Sequence, residues 1–106
     1  MNEELKKRID DLLAQNKVVI FMKGSALMPQ CGFSASAVRS LQEAGATQVT
    51  TVNVLQDPEI REGIKEYSSW PTIPQVFVDG KFIGGSDILK EMQDRGELAP
   101  LVNPGS

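Results

Sequence analysis

Lys17-Val18-Val19-Ile20-Phe21-Met22 is an unbroken apolar, β-branched run, followed by the loop Lys23 to Gln30, with its Gly24, Ser25 and Pro29, and then by Cys31. An apolar run of this length without alternation is what a strand covered on both faces requires. Helical spacing then returns, with Ala37, Val38, Leu41 and Ala44 on one face and Gly45 placed to end the helix. Gln48 to Val54 reads as a second strand. Strand, helix, strand at this spacing is a βαβ unit, whose two strands lie parallel in one sheet.

Working outward, Glu3 to Gln15 reads as an amphipathic helix carrying Leu5, Ile9, Leu12 and Leu13 on one face. Asp57-Pro58-Glu59 is a helix start, combining a capping side chain, a proline in the first turn and an early acid. Ile60, Ile64 and Tyr67 form that helix's inward stripe. Gln75 to Val78, Asp79-Gly80 and Lys81 to Ile83 make a hairpin whose dipeptide suits a type I′ turn. After Gly84-Gly85, Ser86 and Asp87 open a last helix with Ile88, Leu89 and Met92, closing near Gly96. The end, Val102 to Ser106, reads as a disordered tail, leaving one domain over 1–106 with its core at about 3–98. The hairpin adds antiparallel strands to the parallel pair, so the fold class is α/β: a four-stranded mixed sheet flanked by helices on both faces.

Bulk properties narrow the function. At 106 residues there is room for one core. A net charge of −3 argues against nonspecific nucleic-acid binding, which needs a basic face. No apolar run approaches the roughly 20 residues of a membrane span, so no membrane partner is expected. The start, Met1 to Lys7, lacks the apolar stretch of a signal peptide and the Arg-rich, acid-poor character of a transit peptide. The expected location is a bacterial cytoplasm, or a mitochondrial matrix or plastid stroma if a transit peptide has been removed. With a single cysteine there is no internal disulfide, and with no histidine there is neither Ser-His-Asp nor Cys-His catalysis. A metal bound through sulfur must borrow ligands from another molecule.

Three segments carry chemistry. Cys31 sits at a loop-to-helix junction, where unpaired N–H groups, the helix dipole and the nearby Lys23 ammonium lower a thiol pKa. Gly32 permits close backbone approach to whatever the sulfur carries. The alternative is a buried structural cysteine. Trp70-Pro71-Thr72-Ile73-Pro74-Gln75 places two prolines before a strand, with Pro74 suited to a cis bond. Such a bond turns the Ile73 backbone toward an extended peptide; otherwise the segment is only a stiff connector, and Trp70 a packing residue. Gly84-Gly85-Ser86-Asp87 is either a helix cap or a backbone pocket for an anion, with Asp87 beside it for an ammonium. Arg61 and Lys65, four apart on one helix face, mark a solvated face or a second carboxylate site. Together, a nucleophilic sulfur, a peptide edge, a carboxylate pocket with an acid for its amine, and cations for a second carboxylate describe a glutathione site.

Met22-Lys23-Gly24, Pro29 to Ser34, Trp70 to Gln75 and Gly84 to Asp87 resemble, in order and spacing, the CGFS-type monothiol glutaredoxins. The similarity runs from about the first helix to Leu98. It implies a thioredoxin-like fold with a cis-proline at Pro74, and glutathione binding by Lys23, Arg61, Ile73, Ser86 and Asp87, with Phe33 and Thr72 lining the same groove. Lys65, Gly32 and Gly85 complete the candidate set. The family also implies a [2Fe-2S] cluster shared across a homodimer, one Cys31 thiolate and one glutathione thiolate coming from each subunit. Apo iron–sulfur proteins and BolA-type proteins are the implied partners. At Ser86 many relatives carry a second cysteine, so this chain has no internal disulfide in its mechanism. The leading expectation is an iron–sulfur carrier with at most weak oxidoreductase activity. Its rivals are a monothiol thiol–disulfide oxidoreductase and a redox or iron regulatory adaptor.

Overall fold

A computed structural model describes residues 1–103. Its elements are α1 (Glu3–Gln15), β1 (Val18–Met22), α2 (Gly32–Glu43), β2 (Val49–Asn53), α3 (Pro58–Ser68), β3 (Gln75–Val78), β4 (Lys81–Gly84), α4 (Ser86–Asp94) and α5 (Ala99–Val102). The strands form one sheet in the order β2-β1-β3-β4. β1 runs parallel to β2 and antiparallel to β3, and β3 pairs antiparallel with β4.

All five residues of β1 are buried, as the unbroken apolar run requires. Alternate side chains serve opposite faces. Val18, Ile20 and Met22 join the cluster beneath α2 and α4, with Ala37, Val38, Leu41 and Leu89. Val19 and Phe21 join the one beneath α1 and α3, with Leu5, Ile9, Ile60 and Ile64. Burying a leucine- or phenylalanine-sized side chain contributes about 1.5–3 kcal/mol, so these two layers are the main source of stability.

The local signals act as their chemistry suggests. Asp57 caps α3, its Oδ1 accepting from the Ile60 N–H at 3.1 Å, and Pro58 follows in the first turn. Asp79 and Gly80 take φ of 51° and 80°, the two positive values a type I′ turn needs. Gly45, at φ 86°, follows the end of α2, and the Ala46 N–H reaches back to the Leu41 carbonyl at 3.1 Å. No helix among the described residues is long and apolar enough to cross a membrane.

Of the apolar residues of α4, Leu89 is fully buried and Ile88 is 36% exposed. One expectation is corrected. The chain beyond residue 98 is not all tail: Ala99–Val102 forms α5, and Leu98 and Val102 are 0% and 2% exposed within the cluster that holds Val38 and Leu41. The packed core therefore reaches Val102, and Asn103 abuts Gly45. The rest of the expected tail, 104–106, lies outside the described residues.

Candidate functional site

β1 delivers the chain to the segment 23–30, which is pinned rather than free. The Gln30 N–H donates to the Lys23 carbonyl at 2.8 Å and the Ser25 N–H to the Met28 carbonyl at 3.2 Å. Gly24 takes φ 91°, and a Cβ there would stand 2.5 Å from the Met28 carbonyl oxygen, so only glycine fits. Two side chains, a partly buried Asn53 and a buried Ser34, hold the base of this segment. Asn53 Oδ1 accepts from the Gly24 N–H at 3.0 Å, and Ser34 Oγ accepts from the Lys23 N–H at 3.1 Å.

Cys31 thereby becomes the N-cap of α2, in extended conformation and partly exposed. No hydrogen bond of ordinary cap geometry closes on its sulfur. The backbone N–H of Ser34 nevertheless lowers the thiol pKa most, helped by the Phe33 N–H, the Lys23 ammonium and the Ser34 hydroxyl, while partial burial opposes them. A helix N-terminus aimed at a thiol is a standard means of stabilising the thiolate.

A groove of about 460 Å³ opens beside the sulfur. Lys23, Cys31 and Phe33 form its β1–α2 side, and Arg61 and Lys65 come from α3. Pro71, Thr72, Ile73 and Pro74 form the wall between α3 and β3, and Ser86 and Asp87 come from the start of α4. Four segments distant in sequence thus converge on one cleft. The Ile73–Pro74 peptide is cis. Among the described residues no backbone partner reaches the Ile73 N–H or C=O, leaving an edge for an extended chain.

The charges here are uncommitted. Lys23, Arg61 and Asp87 make no ion pair among the described residues, and Arg61 Nε is buried without a partner. Among the described residues the Lys65 ammonium pairs only with the exposed Glu62, at 3.6 Å. Arranged cations beside a lone acid suit a ligand that carries carboxylates and an ammonium.

Two expected residues do not line the groove. Gly32 is exposed, and a Cβ there meets nothing within 4 Å, so close approach is not what it serves within the chain. Gly85 stands behind the wall: its Cβ would lie 3.1 Å from the Pro74 carbonyl oxygen. Trp70 tilts against Phe82, ring centroids 5.7 Å apart, which fits the packing reading. Pro71, Ser34 and Asn53 escaped the sequence reading as parts of the site. Among the described residues no group of three or more His, Cys, Asp or Glu could hold a metal ion.

A mixed sheet of this order with helices on both faces, a thiol at a helix N-terminus and a cis-proline in the same groove define a thioredoxin-like thiol protein. The chain belongs to the glutaredoxin family, whose model matches residues 18–83, and its relatives place it among the monothiol glutaredoxins. It is 57% identical over 102 residues to the monothiol glutaredoxin ycf64-like protein of Synechocystis sp., covering 96% of this chain and 94% of that one. The solution structure of reduced poplar apo GrxS14 superposes with a TM-score of 0.79 at 47% identity, over 91% of this chain and 87% of that one. The crystal structure of a buckwheat glutaredoxin–glutathione complex does so at 0.78 and 27% identity, over 96% and 94%.

Proposed function

We propose that this monothiol glutaredoxin binds glutathione in the Cys31 groove and, as a homodimer, carries a [2Fe-2S] cluster to apo iron–sulfur proteins. The observation that carries the reading is the convergence of one thiolate-prone sulfur with the unpaired Lys23, Arg61 and Asp87. Glutathione offers the matching layout: an amino-acid head for Asp87 and the start of α4, an extended middle for Ile73 and Thr72, and a glycyl carboxylate for the cations. A buckwheat relative of the same fold is known in complex with that tripeptide.

The donor set fits cluster cargo in one manner. Each chain offers one thiolate, Cys31, so two chains and two glutathione thiolates make up four sulfurs. The exposed Leu27, Met28 and Phe33, 96%, 69% and 63% accessible, surround the Cys31 loop with apolar surface suited to a second subunit. Ligands lent by a small exchangeable thiol favour release to a recipient's own thiolates.

Anaerobic reconstitution with iron, sulfide and glutathione, read by absorbance and native mass, tests the reading. Wild-type protein should yield a coloured dimer containing two glutathiones, and Cys31→Ser should abolish it. A coloured dimer formed by the serine variant would overturn the assignment.

The lowered Cys31 pKa also favours a second reading, monothiol deglutathionylation. The Cys31 thiolate attacks the glutathione sulfur of a mixed disulfide and expels the protein thiolate; free glutathione then attacks that new disulfide, restoring Cys31 and leaving glutathione disulfide. Rapid turnover of a glutathionylated peptide would place this reading first.

A further inference from the structure

Gln75 heads β3 and is 0% exposed; the other buried polar residues among those described are serines. Its amide is used unequally. Nε2 donates to the Trp70 carbonyl at 2.9 Å and to the Thr72 carbonyl at 3.2 Å, whereas no donor among the described residues reaches the buried Oε1. An unmatched buried acceptor is costly, and an apolar side chain of similar length would avoid that cost. What distinguishes glutamine at this position is therefore the pair of carbonyls its nitrogen holds.

Those carbonyls belong to the groove wall. The stretch from Trp70 to Pro74 is neither helix nor strand, and its two prolines have no N–H to donate. Its first residue is tied to α3, the Trp70 N–H donating to the Lys65 carbonyl and to Ser68 Oγ, each at 3.1 Å. Its last passes into β3 through the cis peptide. Between these ends, the Gln75 amide holds the backbone of Trp70 and Thr72 from beneath.

We infer that Gln75 is a positioning residue for ligand recognition: through the Trp70 and Thr72 carbonyls it fixes the wall that presents Thr72 and Ile73 to an extended peptide. The inference rests on the glutathione reading above for the identity of that peptide.

The test uses the full chain and S-methylglutathione, which binds without thiol exchange. Gln75→Met keeps the length and removes both hydrogen bonds. Its affinity by calorimetry should fall about tenfold, as expected for loss of roughly one net hydrogen bond's worth of positioning. Hydrogen exchange should quicken at the Trp70 amide, whose bonds to Lys65 and Ser68 anchor the wall, and stay unchanged in β1. Gln75→Glu supplies the readout a merely structural role would not move. At about pH 5 a buried carboxylic acid keeps one O–H donor; by about pH 8 an ionised one sets its oxygens against two carbonyl oxygens. The ratio of mutant to wild-type affinity should therefore fall as pH rises.

Wild-type affinity and exchange in Gln75→Met, or a pH-independent ratio in Gln75→Glu, would overturn the inference. Should wild-type protein not bind S-methylglutathione, the functional reading fails, and the exchange comparison decides the strut by itself. If the methionine variant does not fold, the glutamate variant at low pH carries the decision.

Discussion

The outer surface of α1 and α3 and the groove at the head of α2 are both rich in charge, yet they use it in opposite ways. Along α1, Lys6 pairs with Asp10 and Lys7 with Asp11, each at 3.1 Å and each four residues apart. Arg8 crosses to Asp57 at 3.0 Å, and the terminal ammonium of Met1 meets Glu66 at 3.0 Å. In the groove, Lys23, Arg61 and Asp87 have no such partners among the described residues. Two arginines make the contrast sharp: Arg8 completes a neighbour's charge, whereas Arg61 holds a buried Nε without an acceptor. A pairing surface contributes little to stability and asks for no ligand. A set of charges left open around an activated thiol is arranged for something that arrives from outside.

The largest effect that would break this contrast is on ligand affinity. Arg61→Ala should weaken S-methylglutathione by about 10- to 100-fold, the range for losing a charge-assisted bond to a carboxylate, and leave the melting temperature nearly unchanged. Arg8→Ala should do the reverse, leaving affinity intact and costing about 0.5 kcal/mol of stability or less. Calorimetry and thermal melts on the two variants decide the matter; equal affinities would erase the distinction between the surfaces.

A smaller effect concerns the thiol. The Ser34 and Phe33 amides lower the Cys31 pKa together with the Lys23 ammonium, so removing one cation leaves the helix terminus in place. Lys23→Met should raise the midpoint of the alkylation rate against pH while keeping it below that of an ordinary thiol. The thiolate fraction at neutral pH then drops, and alkylation by iodoacetamide slows modestly. Lys7→Met, on the paired surface, should leave the profile where it was. A profile unmoved by Lys23→Met would mean that the ammonium does not act on the sulfur.

Much of this architecture is legible in the residues because local and tertiary demands coincide. The run from Val18 to Met22 needs both faces covered, and the Asp79-Gly80 pair admits few backbone shapes. The Cys31 motif marks its own helix terminus. Where the deciding partner is distant, the reading stops short. Ala99 to Val102 is too short for a periodic signal and contains Pro100, and Val102 is buried because α2 and α4 leave space for it. Gln75 shows as a polar residue opening an apolar strand, but its acceptors lie upstream in an irregular segment. That Lys23, Arg61 and Asp87 share one cleft follows from the crossing of four segments; in sequence their combined chemistry suggests one ligand site, and the family resemblance adds to that reading.

The smallest effect lies on the paired surface. Tyr67, the chain's one tyrosine, donates its hydroxyl to Asp10 Oδ1 at 2.6 Å. That bond, burial and the Asp10 charge push the Tyr67 pKa up to about 12. The same bond, with Lys6, holds the Asp10 carboxyl below the usual carboxylate range. The contribution to folding is complete where the phenol is neutral and the carboxylate ionised in folded and unfolded chains alike. It is lost as pH rises from the unfolded tyrosine value near 10 through the folded value near 12. At the acid end it is lost as pH falls below the unfolded aspartate value near 3.8 through the lower folded one. Ultraviolet titration of this single phenol should give a midpoint of about 12, and Asp10→Asn should return it toward 10. Tyr67→Phe should lower the melting temperature by a few degrees at neutral pH and leave S-methylglutathione affinity unchanged. A wild-type midpoint near 10 would remove the bond from the account, and a loss of affinity in Tyr67→Phe would show that the two surfaces are coupled after all.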